Sequence, residues 1–420
     1  MQFVFVTDEL PRPGAAGHLA LNHAIIQWLQ AQGHGVVILL VGARLAWPVE
    51  RYGVAPVAGP GVYAFRNTIV AAGLKDWLRL LARQLASRLP ARLTAPFRRR
   101  IREKSFGRSD AVLGAHMSTA QSSWCARFVT QWRPDAVLAD TIFRAAVLAD
   151  PALQHINSVI IAHDVFFRRH RALVAAGYSV YPAGFTAETE ALLLNNARAI
   201  AAIQPAEAEI IRRLCPYRPV FVTPMPAIPC PRPPHIRRVA NRLVFVGSAT
   251  LPNLDGLRWF FGEVWPHLKR WRGNITIDLV GDCGAALRDL PPAARRLGRV
   301  ADMAPVLHQA ALAIAPLRVG SGLKIKLLDY ARHGLITVGT PESLDGFAED
   351  AAAPFIGAKG ALSFAAMIIR SLGEIMPDDK ALHYVERHYG TARCFAGLAD
   401  ALRLTGPEIA VQAAVIGKTE

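Results

Sequence analysis

The chain has 420 residues, 52% of them apolar, and 48 Lys and Arg against 32 Asp and Glu give a formal net charge of +16. That apolar share excludes disorder as the main state, Gly and Pro without a period exclude a collagen-like fibre, and the length suggests two or three domains. No run approaches the roughly 18 apolar residues of a membrane-spanning helix, and the scattered Cys125, Cys215, Cys230, Cys283 and Cys394 form no C-x-x-C pair, which argues against disulfides or structural zinc and fits a reduced cytoplasm.

The chain opens on a short buried strand, "FVFV" (3–6), that runs into Thr7, Asp8 and Glu9, too short and acidic for a secretory signal. A Gly/Pro loop follows, then a helix over 19–32 with Leu21, Ile25, Trp28 and Leu29 apolar, and a second strand after Gly33 and Gly35. Residues 73–108 hold 11 basic and 2 acidic side chains. Within them Leu74, Trp77, Leu78, Leu81 and Leu85 recur at helical spacing, and Lys75, Arg79 and Arg83 form a second stripe. Such a helix is either a solvated basic face or an in-plane helix against anionic headgroups. No RNA- or DNA-binding signature is present, so nucleic acid is not expected as a partner.

Further strands are expected at 135–140, 158–164, 199–204 and 220–224. The stretch 223–238 holds six prolines in 16 residues and reads as an interdomain linker. The rhythm then restarts with a strand at 242–248, one helix over 253–271, strands at 275–282 and 311–317, a helix over 323–334 and a strand at 335–340. Residues 377–404 look helical again. Apolar runs alternating with helices point to α/β domains with parallel sheets. The expected division is 1–222, linker 223–238, 239–376, and a helical segment over 377–420, a candidate to cross back to the first domain. Ligands in such sheets bind beyond the carboxyl ends of strands.

The most informative stretch is "APLRVGSGLKIKLLDYARHGLITVGTPESLDGF" (315–347). A strand ends, a Gly-Ser-Gly loop follows, and a helix begins with Lys324 and Lys326 in its first turn. Bare N–H groups at a helix start bind anions, and glycines let a phosphate come close. Cations are normally unfavourable there, so two lysines make sense beneath a pyrophosphate. Asp329, a turn later, could accept from a ribose diol. The competing reading is an ordinary strand-turn-helix junction with surface lysines. Among lookalikes, "IGKTE" (416–420) lacks the first P-loop glycine, because Gln412 stands there. No cluster of His, Cys and carboxylates occurs at metal-ligand spacing, so no metal or resident cofactor is expected.

This stretch resembles the donor-binding segment of family-4-type, or group 1, glycosyltransferases, whose pattern is roughly G-x-G-x-[RK]-x-K-x-x-E-A-x-A-x-G. Gly320, Gly322, Lys324, Lys326, Gly334 and Thr340 match; Asp329 and Asp345 stand where Glu is usual, and Ser321 replaces the first Glu of the E-x7-E motif. The chain thus resembles a G-S-G-x-x-x-K subset. The segments 245–268, with its Pro-Asn-x-x-Gly pattern, 279–322, and "GHGVVIL" (33–39) resemble the family elsewhere. The resemblance implies a GT-B fold, two Rossmann-like domains facing across a cleft. It also implies transfer of a sugar from a nucleoside-diphosphate sugar, with retention of configuration and without a metal. The acceptor would be a lipid-linked or cell-surface polysaccharide precursor. The alternatives are an inactive sugar-nucleotide-binding protein of the same fold and a GT-B-like epimerase.

The resemblance also suggests roles. Gly320, Ser321, Gly322, Lys324, Lys326 and Gly17 would face the donor diphosphate, and Gly298, Arg299, Val300 and Asp329 the nucleoside. Gly14, Asn253, Asp345 and Arg168 would face donor sugar or acceptor. His163 and Asp164, at a strand's carboxyl end, join Lys326 as candidate catalytic groups. The expected location is cytoplasmic, peripheral on the inner membrane face through 73–108.

Overall fold

The apolar runs form parallel strands because each is buried on both faces: Phe3, Val4, Phe5 and Val6 are all fully buried, as are Val137, Leu138 and Ala139. The computed structural model describes residues 1–13, 17–42, 44–88, 109–319, 323–374 and 378–404. The chain divides into two compact units, Met1–Pro224 with Phe395–Glu420, and Met225–Cys394.

In the first unit, β1 (Gln2–Thr7) leads through α1 (Gly17–Ala31) to β2 (Gly35–Leu40). The segments β3 (Val49–Arg51), β4 (Val57–Ala58), β5 (Val62–Phe65) and β6 (Thr68–Ala71) precede α2 (Leu74–Arg88). After β7 (Ala111–Val112) and α3 (Thr119–Trp132) come β8 (Ala136–Asp140), β9 (Asn157–Ala162), α4 (Phe166–Ala175), β10 (Val180–Tyr181) and α5 (Ala187–Leu194). The strands β11 (Ala199–Ala202) and β12 (Val220–Val222) flank α6 (Pro205–Leu214). The main sheet has seven strands in the order β12-β11-β9-β8-β1-β2-β4, parallel throughout. Strand order reverses at β1, which pairs β2 on one side and β8 on the other, with Thr7 and Asp140 at the carboxyl ends.

An antiparallel sheet, β3-β6-β5, was not anticipated. Its strands are three or four residues long and one, Val62–Phe65, is largely exposed, so no alternation shows. Helix α2 forms where the spacing predicts it, but its apolar stripe is not core. Leu74, Leu78, Leu81 and Leu85 are exposed, whereas Leu80 is buried and the Trp77 indole donates to the Ala71 carbonyl at 2.8 Å. Spacing tells which residues share a face, not which face meets the protein. Residues 89–108 of the basic stretch lie outside the described residues.

In the second unit, β13 (Arg242–Val246), α7 (Leu251–Trp259), β14 (Thr276–Val280), β15 (Ala294–Gly298), α8 (Ala304–Gln309), β16 (Leu312–Ala315), α9 (Ile325–Arg332), β17 (Thr337–Gly339), α10 (Pro341–Leu344) and β18 (Phe355–Gly357) build a six-stranded sheet with its helices. Its order is β15-β14-β13-β16-β17-β18, again parallel, with the reversal between β13 and β16. The single helix expected over 253–271 is interrupted. α7 passes into a π-turn over Phe260–Val264 before helix resumes over Trp265–Trp271. Pro266 has no N–H to offer, and its ring would crowd the carbonyl four residues back, so the turn widens.

The proline-rich stretch is not a free spacer: from Met225 on it belongs to the second unit. Its remaining donors anchor it there. The Cys230 N–H donates to the Arg332 carbonyl at 2.6 Å, and Arg232 and Arg238 both pair with Asp378, at 2.8 and 2.9 Å. The unit continues through α11 (Ala361–Gly373) and α12 (Asp378–Tyr389). A last helix, α13 (Thr391–Leu402), follows a break at Gly390. From Phe395 it packs on the first unit, where Phe395 stacks 5.0 Å from Trp28 and Asn157 donates to the Ala401 carbonyl at 3.1 Å.

The second unit requires Gly256 on α7, where a Cβ would lie 2.5 Å from the Pro316 carbonyl oxygen. Gly256→Ala should therefore lower stability by about 1–3 kcal/mol through overpacking. Gly262→Ala, with open space around its Cβ, should be neutral or stabilising by up to about 1 kcal/mol. Urea unfolding of the two variants checks the contrast.

Candidate functional site

Two polar clusters sit where the two strand orders reverse. Each is described in its own unit.

In the first unit, Thr7 Oγ1 donates to Asp140 Oδ2 at 2.8 Å. His163, just past β9, lies 2.9 Å through Nε2 from Asp140 Oδ1 and 3.1 Å from Asn22 Oδ1 on α1. A carboxylate and an amide oxygen only accept, so Nε2 carries the proton and His163 is oriented by both. Asn22 Nδ2 is buried with no partner among the described residues. The His18 ring, in the first turn of α1, stands edge-on 5.8 Å from the His163 ring. Burial would raise the Asp140 carboxyl, but the hydrogen bond and charge of His163, aided by His18 and Asn22, hold it well below the usual carboxylate range. Burial pulls the His18 imidazole down, against the attraction of Asp140. Past the end of β1, Arg44 pairs with Asp8 at 2.6 Å, and buried Arg144 approaches the same carboxylate at 3.9 Å.

The structure separates His163 from its neighbour. Asp164 turns to the Arg169 guanidinium at 3.0 Å, beside Glu190, whose carboxylate accepts from the Phe166 and Phe167 N–H groups at 2.9 and 2.7 Å. Glu190 thus caps α4, and burial first, with Asp164 adding, raises its carboxyl to about 7 against those two N–H bonds. Asp164 is thus engaged by Arg169 rather than by the His163 cluster, while Arg168 on α4 is exposed. Gly17 opens α1, immediately before His18. Gly14 lies outside the described residues, as do Gly320, Ser321 and Gly322.

In the second unit, Lys326 Nζ donates to Asn253 Oδ1 at 2.6 Å and sits 4.2 Å over the Phe245 ring. Asn253 Nδ2 is held in turn by the Ser248 carbonyl at 2.9 Å and Thr250 Oγ1 at 3.0 Å. Burial lowers the Lys326 ammonium to about 7, Cys283 opposing and Lys324 reinforcing the shift. Lys324 is the residue preceding α9 rather than part of its first turn, and it is buried. The backbone leading to 320–322 is fixed: Arg318 grips Asp255 through two bonds at 2.9 and 3.1 Å, and the Leu317 N–H donates to Ser343 Oγ at 3.1 Å. Asp329, one turn after Lys326, has its carboxyl raised by burial to about 6, Arg332 opposing.

Gly298 ends β15 with φ +67°, and its carbonyl accepts the Gly281 N–H at 2.6 Å. Exposed Arg299 pairs with Asp282 at 2.6 Å, and Val300 packs against the core around Val244 and Tyr330. These residues lie at the carboxyl ends of β14 and β15, the same sheet end as Lys326. Asp345 is exposed at the end of α10, with no direct bond to the Lys326 cluster among the described residues.

Residues 240–374 match the family model described as glycosyl transferases group 1. This segment is a group 1 glycosyl transferase domain. The strand order, the Asn253–Lys326 pair and the Gly-Ser-Gly sequence at 320–322 all lie within that domain. Solved structures extend the likeness to the other unit. A lipopolysaccharide outer core galactosyltransferase, WaaB, matches with TM-score 0.57 and 12% identity over 96% of this chain and 99% of its own. Anabaena Alr3699/HepE, in complex with UDP and glucose, gives 0.58 and 10% over 96% and 99%. TarM gives 0.55 and 11% over 67% of this chain and 58% of that one. At these identities the likeness establishes the fold, which is GT-B. No curated protein matches the chain by sequence.

Sequence reasoning missed Asp140, Asn22 and His18. The signal was present only for Asp140, a carboxylate closing a buried strand run. Asn22 and His18 share α1 with its apolar stripe and gain meaning only when α1 sits beside β8 and β9.

Asp140→Asn should leave Thr7 or His163 donating toward an amide N–H₂, at a cost of about 1–3 kcal/mol. A carboxyl depressed in the folded state adds stability above its unfolded pKa of about 3.9 and loses it as pH falls below that. The gap in urea midpoint between wild type and Asp140→Asn should therefore be widest at pH 6 and should begin to narrow as pH falls through about 4 toward 3.

Proposed function

We propose that the protein is a glycosyltransferase that moves a sugar from a nucleoside-diphosphate sugar to a glycan or lipid-linked acceptor. The observation that carries this reading is Lys326, a half-buried ammonium whose hydrogen-bond acceptor among the described residues is the neutral Asn253 amide. It stands one turn ahead of Asp329 and just past the sequence Gly-Ser-Gly, at the strand-order reversal of a group 1 domain. A partly desolvated cation facing a neutral partner is completed by an anion. A diphosphate supplies it, with Lys324 adding charge and the helix start adding N–H groups. HepE, of the same fold, was solved with UDP and glucose.

On this reading the acceptor hydroxyl attacks the anomeric carbon as the bond to the diphosphate breaks. The leaving phosphate oxygen takes the hydroxyl proton. Lys324 and Lys326 stabilise the charge that develops on the diphosphate, the work that a divalent metal would otherwise do. Front-face attack with retention fits the first unit, where Asp140 is saturated by Thr7 and His163 rather than presented as a nucleophile. His163, with Nε2 committed to Asp140 and Asn22, presents its other ring edge to the sugar or acceptor.

Membrane docking fits the acceptor. No helix among the described residues is long and apolar enough to cross a membrane. Helix α2 instead exposes Leu74, Leu78, Leu81 and Leu85 beside Lys75, Arg79 and Arg83, and Tyr63 and Phe65 are exposed on the adjoining small sheet. An apolar stripe flanked by cations suits an anionic leaflet, at about 1 kcal/mol per well-placed cation. The location would then be cytoplasmic and peripheral.

Lys326→Ala should lower turnover by about 10²–10³-fold, the usual loss for one group stabilising a developing oxyanion, with an unchanged circular-dichroism spectrum. Near-normal kinetics would sink the assignment. Because burial holds Lys326 near 7, nucleoside diphosphate binding at pH 8 should take up a proton, read by calorimetry in buffers of different ionisation enthalpy; Lys326→Met should abolish the uptake. Arg79→Glu with Arg83→Glu should release the protein from anionic liposomes, and unchanged binding would remove the membrane reading.

A further inference from the structure

A third polar cluster lies where the proline-rich stretch crosses the ends of α8 and α9. Cys230, His308 and His333 are far apart in sequence and share no metal-ligand spacing, yet the fold brings one ligand atom of each within 4.8 Å of the other two. Both histidines are buried, at 3% and 2% exposure, and Cys230 is a free, half-buried thiol. The rings stand 5.1 Å apart.

The decisive detail is what the other ring nitrogens do. His308 Nε2 meets the Cys230 carbonyl at 3.0 Å, and His333 Nδ1 meets the Asp329 carbonyl at 2.6 Å. A carbonyl oxygen only accepts, so each of these nitrogens carries the proton. In the neutral rings His308 Nδ1 and His333 Nε2 are then left with bare lone pairs. Metal-binding histidines show this arrangement: one nitrogen ligates while the other donates to a backbone carbonyl that fixes tautomer and orientation. Two such imidazoles and a thiol make an N₂S donor set, suited to zinc, with a fourth position for water.

We propose that Cys230, His308 and His333 form a zinc site that staples the proline-rich stretch to the ends of α8 and α9. On binding, the Cys230 S–H bond is lost, the thiolate takes the metal, and the proton leaves to solvent. Ligand edges in a zinc site are about 3.3–3.8 Å, from metal–ligand bonds of about 2.0–2.3 Å, so the three side chains draw together by side-chain rotation. Backbone bonds already fix the frame, since the Cys230 N–H donates to the Arg332 carbonyl at 2.6 Å. The nearby Arg238 charge is met by Asp378 at 2.9 Å. Because Asp329 carries both the carbonyl that orients His333 and the carboxyl proposed for the ribose, the metal would also steady the nucleotide-facing helix.

The test uses the full-length protein without a histidine tag and needs no glycosyl transfer, so it stands or falls apart from the proposed activity. Titration with Co²⁺ should show one equivalent per chain, with visible bands of a four-coordinate ion and a near-ultraviolet thiolate charge-transfer band. Zn²⁺ should displace it and shield Cys230 from iodoacetamide, read by peptide mass spectrometry. Cys230→Ser should lose the charge-transfer band, and His308→Ala should weaken binding at least 10-fold; the former keeps the proposal testable if the latter unfolds. Absence of the charge-transfer band, its survival in Cys230→Ser, or equal alkylation of Cys230 with and without Zn²⁺ would overturn it.

Discussion

A parallel sheet whose strand order reverses leaves a crevice at the carboxyl ends of two neighbouring strands, because the connections leave in opposite directions and nothing fills the gap between them. Side chains there are buried yet have no ladder to satisfy them. Both sheets of this protein meet that constraint at β1 and β8 and at β13 and β16. Each resolves it with polar groups that hold one another, and most of what the two units can do follows from how they are paired.

The pairings are opposite in kind. In the first unit a buried carboxylate, Asp140, is surrounded by donors from Thr7 and His163, so its charge is stabilised in place. In the second unit a half-buried ammonium, Lys326, has the Asn253 amide and the Phe245 ring for company. Neither is a counter-charge, and burial drives the ammonium toward neutrality. The first cluster is a finished structural element that orients an imidazole. The second is electrostatically incomplete, as a site must be if its ligand brings the missing charge.

The net charge of +16 resolves in the same terms. A share of the positive side chains is spent internally: Arg238 and Arg232 on Asp378, Arg318 on Asp255, Arg295 on Asp278. Those pairs tie strands, helices and connecting segments together within the second unit. The cations of α2 lie on an exposed helix beside exposed leucines, a different use of charge.

The sequence by itself determined the class of the fold, because uninterrupted apolar runs between amphipathic helices have few solutions other than buried parallel strands. It also marked the helix start that is proposed to meet a diphosphate, because Gly-Ser-Gly followed by lysines is a local arrangement, read within about ten residues. The tertiary structure decided everything that depends on which strands are neighbours. It placed Asn22, Asp140 and His163 together from three separate elements, paired Asp164 with Arg169 on α4, and turned the leucine stripe of α2 outward. It also brought Cys230 to His308 and His333, which lie 78 and 103 residues along the chain. Spacing along a chain encodes period and local chemistry; it carries no record of lateral order in a sheet, and these clusters are made by lateral order.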